Sequence, residues 1–127
     1  MFVFNMIHSS RMYFKKSQWP LVTELVEEDR FYPEIMSGFV MTRGVWEIFE
    51  KRFPDYKFKQ ATIDPLYPSN KADADELKII DDFSTNREKK NIEGVMEKKG
   101  QQFYYFAKPV NVEGKCLRCH GEADEAP

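Results

Sequence analysis

Both cysteines of this 127-residue chain stand two residues apart and are followed at once by a histidine, in the order Cys116-Leu117-Arg118-Cys119-His120. Two thiols at that spacing can form thioethers to the two vinyl groups along one edge of a haem, and the adjacent imidazole then lies under the iron as an axial ligand. A structural zinc site asks for four Cys or His ligands, and here there is no third cysteine and His8 is the one other histidine. A thioredoxin-like dithiol belongs at the start of a helix in a βαβ setting, whereas this pair lies close to the C-terminal end. The pattern therefore points to one covalently attached haem c with His120 as its proximal ligand, and a redox dithiol or disulfide is the second reading of the same residues.

A haem iron held by His120 has a sixth position, and the side chains able to take it are His8, Met6, Met12, Met36, Met41 and Met96. His8 and Met12 are four residues apart, so on a helix they share a face and can point at one iron from neighbouring turns. Met12 is the distal candidate, His8 is its alternative, and an open or water-bound site is the third option. Arg43, Lys108 and Arg118 are cations suited to haem propionates.

The rest of the composition sets limits. Nineteen basic against 21 acidic residues give a net charge of −2, which excludes recognition of nucleic acid through bulk charge. Hydrophobic residues make up 42% and aromatic residues 15%, enough large side chains to line an apolar cavity. No constellation of acid and base side chains points to an enzyme. No run of 18 apolar residues is present, and the N-terminal stretch through Ile7 lacks a basic region and a cleavage site, so it does not read as a secretion signal. Covalent haem attachment nonetheless implies maturation outside the bacterial cytoplasm. The expectation is a periplasmic piece of a longer, membrane-anchored chain.

The elements that must position these residues follow from periodicity. Residues 6–26 read as a helix with Pro20 as a kink or boundary. Phe31-Tyr32-Pro33 reads as a connection to a second helix carrying Val40, Met41, Val45, Trp46, Ile48 and Phe49, which stops at Pro54-Asp55. Residues 56–63 alternate as a strand would, and Asp64-Pro65 closes it with a turn that leads into a rigid loop. Asp73 with Glu76 forms a capping box for a helix through Phe83. After a charged turn, Ile92, Val95 and Met96 mark a strand, Gly100 a hairpin turn, and residues 103–110 a second strand with four consecutive aromatics. The length suits one domain spanning residues 1–127.

Several blocks of this order resemble the periplasmic c-haem sensor domains with a PAS-like fold found in bacterial chemotaxis receptors (methyl-accepting chemotaxis proteins) and sensor kinases. The resemblance runs over nearly the whole chain. It is carried by Arg11-Met12-Tyr13 leading to Pro20, by Tyr56-Lys57-Phe58-Lys59-Gln60-Ala61, by Pro68, Asn70 and Asp73 in the loop, and by Tyr105 to Pro109 leading into Cys116-Leu117-Arg118-Cys119-His120-Gly121. Where that family commonly reads Asn-Pro-x-Asn-Pro, this chain has Asp64-Pro65-Leu66-Tyr67-Pro68. The resemblance implies an α+β fold with a central antiparallel sheet flanked by helices, one covalent haem, and a first helix that supplies the distal ligand and can be exchanged within a homodimer. It further implies detection of redox state or of a small ligand such as NO or CO by exchange of the distal ligand, with the signal passed to an output domain. A periplasmic electron-transfer cytochrome c is the alternative.

Overall fold

The computed structural model of the protein describes residues 2–114. Its elements are α1 (Phe2–Tyr13), a π-helical turn (Phe14–Gln18), α2 (Trp19–Leu25), α3 (Pro33–Met36), α4 (Gly38–Glu50), a 3-10 turn (Pro68–Asn70), α5 (Ala74–Thr85), β1 (Ile92–Lys98) and β2 (Gln101–Ala107). Helices and an antiparallel strand pair make this an α+β fold, as expected. The chain divides into two compact units, residues 1–59 and 60–127.

In the first unit, the expected helix over residues 6–26 is present, but it changes register on the way. Across the π-helical turn the Trp19 N–H donates to the carbonyl of Phe14, five residues back instead of four. Pro20 is the physical reason. In an uninterrupted α-helix its ring would collide with the carbonyl of Lys16 and its missing N–H would leave a gap in the ladder. After the widened turn, Pro20 instead occupies the first turn of α2, where no intrahelical N–H bond is due.

Helix α4 begins at a cap in which the Ser37 hydroxyl accepts from the N–H of Val40 at 3.3 Å. Close approach to α1 follows at this end: the Arg11 guanidinium lies 3.8 Å from the centre of the Phe39 ring. A methyl group placed on Gly38 would meet Phe14 at 3.6 Å. The other end of α4 feeds an aromatic cluster, in which Trp46 packs on Phe58 (ring centres 5.2 Å apart) and Phe49 stacks on Phe53 (4.7 Å).

The expected strand over residues 56–63 does not form. Tyr56 and Phe58 join the α4 aromatics, and Lys57 pairs with Glu50. What remains extended is one parallel bridge, Thr62 with Lys71, in which the Thr62 N–H donates to the Asn70 carbonyl and the Ala72 N–H to the Thr62 carbonyl. Alternation alone cannot hold a strand; its backbone groups need a neighbouring ladder, and here they find a single turn of loop.

The second unit is tied together at the start of α5. Asp73 accepts from the N–H groups of Asp75 and Glu76, and Glu76 reaches back to the Asp73 N–H at 2.8 Å, which completes the expected capping box. The same carboxylate takes the ammonium of Lys98, 25 residues on, at 2.5 Å. Lys98 ends β1, and the following Lys99 and Gly100 both have positive φ (52° and 76°), which gives the two-residue turn whose twist matches the strands. The hairpin register pairs Ile92 with Ala107, Gly94 with Tyr105, and Met96 with Phe103.

The hydrogen bond from Lys98, with those from the backbone of Glu76 and Asp75, holds the Asp73 carboxyl below its ordinary value of 3.8, and Asp73 in turn holds Lys98 above 10.5. The stabilisation is therefore complete above pH 3.8, fades as the pH falls through the lowered carboxyl value, and fades again as the pH rises through the raised lysine value. Replacing Asp73 by Ala is expected to cost about 1 kcal/mol, mostly from the lost cap. Asp73→Asn, which keeps a cap but drops an exposed ion pair, should cost about 0.5 kcal/mol or less. Urea unfolding at pH 7 checks both, and neither variant should share the parent's loss of stability on acidification to the same extent.

Candidate functional site

A cavity of about 510 Å³ opens in the first unit between α1 and α4. From α1 come Met6, Ile7, Ser9, Ser10 and Tyr13, whose spacing places them along one side of the helix; Gln18 adds the end of the π-helical turn; from α4 come Met41, Thr42, Val45 and Trp46. None of these side chains is charged. The Ser10 hydroxyl donates to the Met6 carbonyl at 2.9 Å, and the Thr42 hydroxyl donates to the Gly38 carbonyl at 2.7 Å, so as donors both are used by their own helices. Among the described residues, the buried indole N–H of Trp46 has no hydrogen-bond partner.

Such a lining has a definite chemical preference. Without an ammonium, guanidinium or carboxylate it offers no charge to a phosphate or a hard cation, while two thioethers, an indole and aliphatic groups suit a flat apolar ring system. Thioether sulfur is also an axial ligand for haem iron. A haem-type macrocycle thus fits the donor set and polarity of the lining, and Met6 and Met41 are the soft donors within it. Among the described residues no group of three or more His, Cys, Asp or Glu side chains could hold a metal ion by itself.

The sequence-derived candidates fall in different places. Cys116, Cys119, His120 and Arg118 lie outside the described residues. Met12 is half-buried and His8 exposed on α1, and neither lines the cavity. Met36 is buried, with its sulfur accepting the Tyr32 N–H at 3.2 Å. Met96 sits on β1 opposite Phe103. Arg43 lies 3.8 Å from Glu47, and Lys108 is exposed just past β2. Nothing in the sequence sets Met6 and Met41 apart from the other methionines except their partners at helical spacing, Ser10 and Tyr13 for Met6 and Val45 for Met41.

The hairpin carries the aromatics on two faces, as the alternation of residues 103–106 required. Phe103 and Tyr105 share the face of Met96 and Gly94, and a methyl group on Gly94 would meet the Tyr105 ring at 3.1 Å, so glycine is what lets that ring lie across the ribbon. On the other face the Tyr104 hydroxyl donates to Glu93 at 2.6 Å, a bond that pushes the phenol's pKa up from 10.0.

Compared with known families, residues 1–127 match the model described as Tll0287-like: Tll0287. Comparison with curated proteins and with solved structures finds no match. Among the described residues no helix is long and apolar enough to cross a membrane.

The unpartnered indole makes a prediction about stability. Trp46→Phe removes a buried donor while keeping a ring against Phe49 and Phe58, so its unfolding free energy should stay within about 1 kcal/mol of the parent. Trp46→Ala opens the aromatic cluster and should cost about 2 kcal/mol or more. Denaturant unfolding of the two variants separates a polar role for this side chain from a packing role.

Proposed function

The chain belongs to the Tll0287-like family, whose members are haem-binding, cytochrome-like sensor domains, and on that premise we propose that it is a covalent haem c sensor of the bacterial periplasm. The observation that carries the reading is Cys116-Leu117-Arg118-Cys119-His120 in a chain of this family, the only cysteines it has. The apolar cavity beside α1 supports it.

In this reading Cys116 and Cys119 fix the edge of one haem as thioethers and His120 holds the iron from the proximal side. Helix α1 supplies the distal ligand, Met12, with His8 as the alternative. When bound, the haem supplies an iron centre that changes oxidation state and takes small ligands such as NO or CO. A methionine sulfur is a neutral, weakly held ligand, so its release is the step that a change of oxidation state or an incoming gas can drive. Release frees α1, and a helix with two positions is a means of passing the event to an output domain, of the chemotaxis or kinase kind, in a longer chain. The remaining features proposed are a PAS-like arrangement of the single domain and a homodimer in which α1 is exchanged. The sensor binds and signals without catalytic turnover.

The decisive measurement is the absorption spectrum of protein matured in a host with cytochrome c machinery, recorded ferric, ferrous and ferrous with CO. Haem is expected to resist extraction by acid-acetone in the parent and to be lost from Cys116→Ala/Cys119→Ala. CO is expected to replace a native sixth ligand, and Met12→Ala or His8→Ala to alter the spectrum before CO is added. A spectrum that ignores CO would move the protein to the electron-transfer cytochromes, and a colourless protein would leave the dithiol reading in its place.

A further inference from the structure

The π-helical turn has a geometric consequence for every residue that precedes it. Its five residues, Phe14–Gln18, fill the length that about four would fill in an α-helix. Each residue of α1 therefore sits one helical position ahead of where an uninterrupted helix, continued back from α2, would put it. We infer that this turn is a register switch with two settings, and that closing it to α-helix exchanges the α1 residues presented to α4. Closure with α2 held in place moves each α1 residue into the position now held by its N-terminal neighbour, a rotation of about 100° and an advance of about 1.5 Å.

Named residues show what changes. Ile7 now lines the cavity, and His8 would take its place. Arg11 now lies over the Phe39 ring, and Met12 would take that position. Met6 would leave the cavity wall for the position of Asn5. The α1 wall of the cavity is thus uncharged and bears the Met6 thioether in one setting, and carries an imidazole and, with Arg11 in the place of Ser10, a guanidinium in the other. Of the two residues singled out as iron ligands, both now off the cavity wall, closure brings His8 onto it and moves Met12 to the present place of Arg11 over the Phe39 ring. This bearing on the haem rests on the sensor reading above, whereas the register itself rests on helix geometry.

The two settings are balanced by identifiable interactions. Pro20 opposes closure, because an α-helical turn would drive its ring against the Lys16 carbonyl, and the Arg11–Phe39 contact adds to the open setting. Regular four-residue hydrogen bonds favour the closed one, the π form being the rarer register. Little packing resists the rotation, since neither α1 nor α2 has a buried residue and Phe14, inside the turn itself, is the one buried side chain of the whole helix.

The test is a footprint of His8, exposed at present. The haem-bearing full chain is treated with diethylpyrocarbonate, and modification of the His8 peptide is followed by mass spectrometry in three proteins: the parent, Pro20→Ala, and Pro20→Ala with Ser17 deleted. Pro20→Ala should close the turn and slow modification about tenfold, in proportion to the fraction left in the outward setting. Deleting Ser17 as well gives four residues for four positions, so the turn is α-helical yet the original face is presented, and the parent rate should return. An unchanged rate in Pro20→Ala would overturn the proposal, as would a combined variant as slow as Pro20→Ala alone. Because the footprint is read on a peptide, preparations that carry no haem would sink the sensor reading while the rates still decide the register.

Discussion

The constraint on which the rest of this structure depends is that the chain carries more apolar surface than its own described residues cover. Among them Phe14, Met36 and Thr42 alone are buried, while Leu25 is 86% exposed, Ile48 70% and Leu66 75%. Hydrophobic burial is the main favourable term in folding, and with 42% hydrophobic residues in the chain the described residues leave much apolar surface for further cover. A bound apolar ring system and a second copy of the chain are the two kinds of cover that the proposed function supplies, one against the cavity of α1 and α4 and one along the first helix.

Local devices compensate where the interior does not. Asp73 caps α5, receives Glu76 in return and holds Lys98 at the far end of β1, so one carboxylate serves a helix start and a hairpin end together. At the other end of α5, Asp82 accepts from Asn86 and from Lys89, and these bonds, that of Lys89 foremost, keep its carboxyl below the usual range. Such bonds are individually weak at a surface. Their value here is geometric: they fix where a helix begins and ends, and thereby which face of the second unit the hairpin presents.

The first helix shows the opposite economy, with few fixed contacts and one irregular turn. A proline that would break an α-helix is accommodated by one extra residue in the preceding turn, so the chain passes from α1 to α2 without a break. The outcome is a long helix whose two halves are out of phase with each other. That phase sets Met6, and not His8, beside Ile7 at the cavity wall, so the chemistry available there is a matter of register as much as of composition.

How much of this could be read from the residues depends on the range of the forces involved. The capping box of Asp73 and Glu76, the turn at Gly100 and the two aromatic faces of residues 103–106 are set by neighbours within a few positions, and the sequence alone determined them; the spacing of Cys116, Cys119 and His120 is likewise local, and it carries the proposed function. The strand expected over residues 56–63 failed because a strand is a property of a pair, and the aromatic cluster on α4 captured Tyr56 and Phe58 first. Pro20 announced an irregularity, yet that the helix widens into a π-helical turn, instead of kinking or stopping, is seen only in the folded backbone, where the Trp19 N–H reaches the Phe14 carbonyl. The ion pair of Lys98 with Asp73 spans 25 residues, and the meeting of Met6 with Met41 across a cavity spans more. Those were decisions of the tertiary structure, because side chains far apart in the chain meet only once the backbone has chosen its turns.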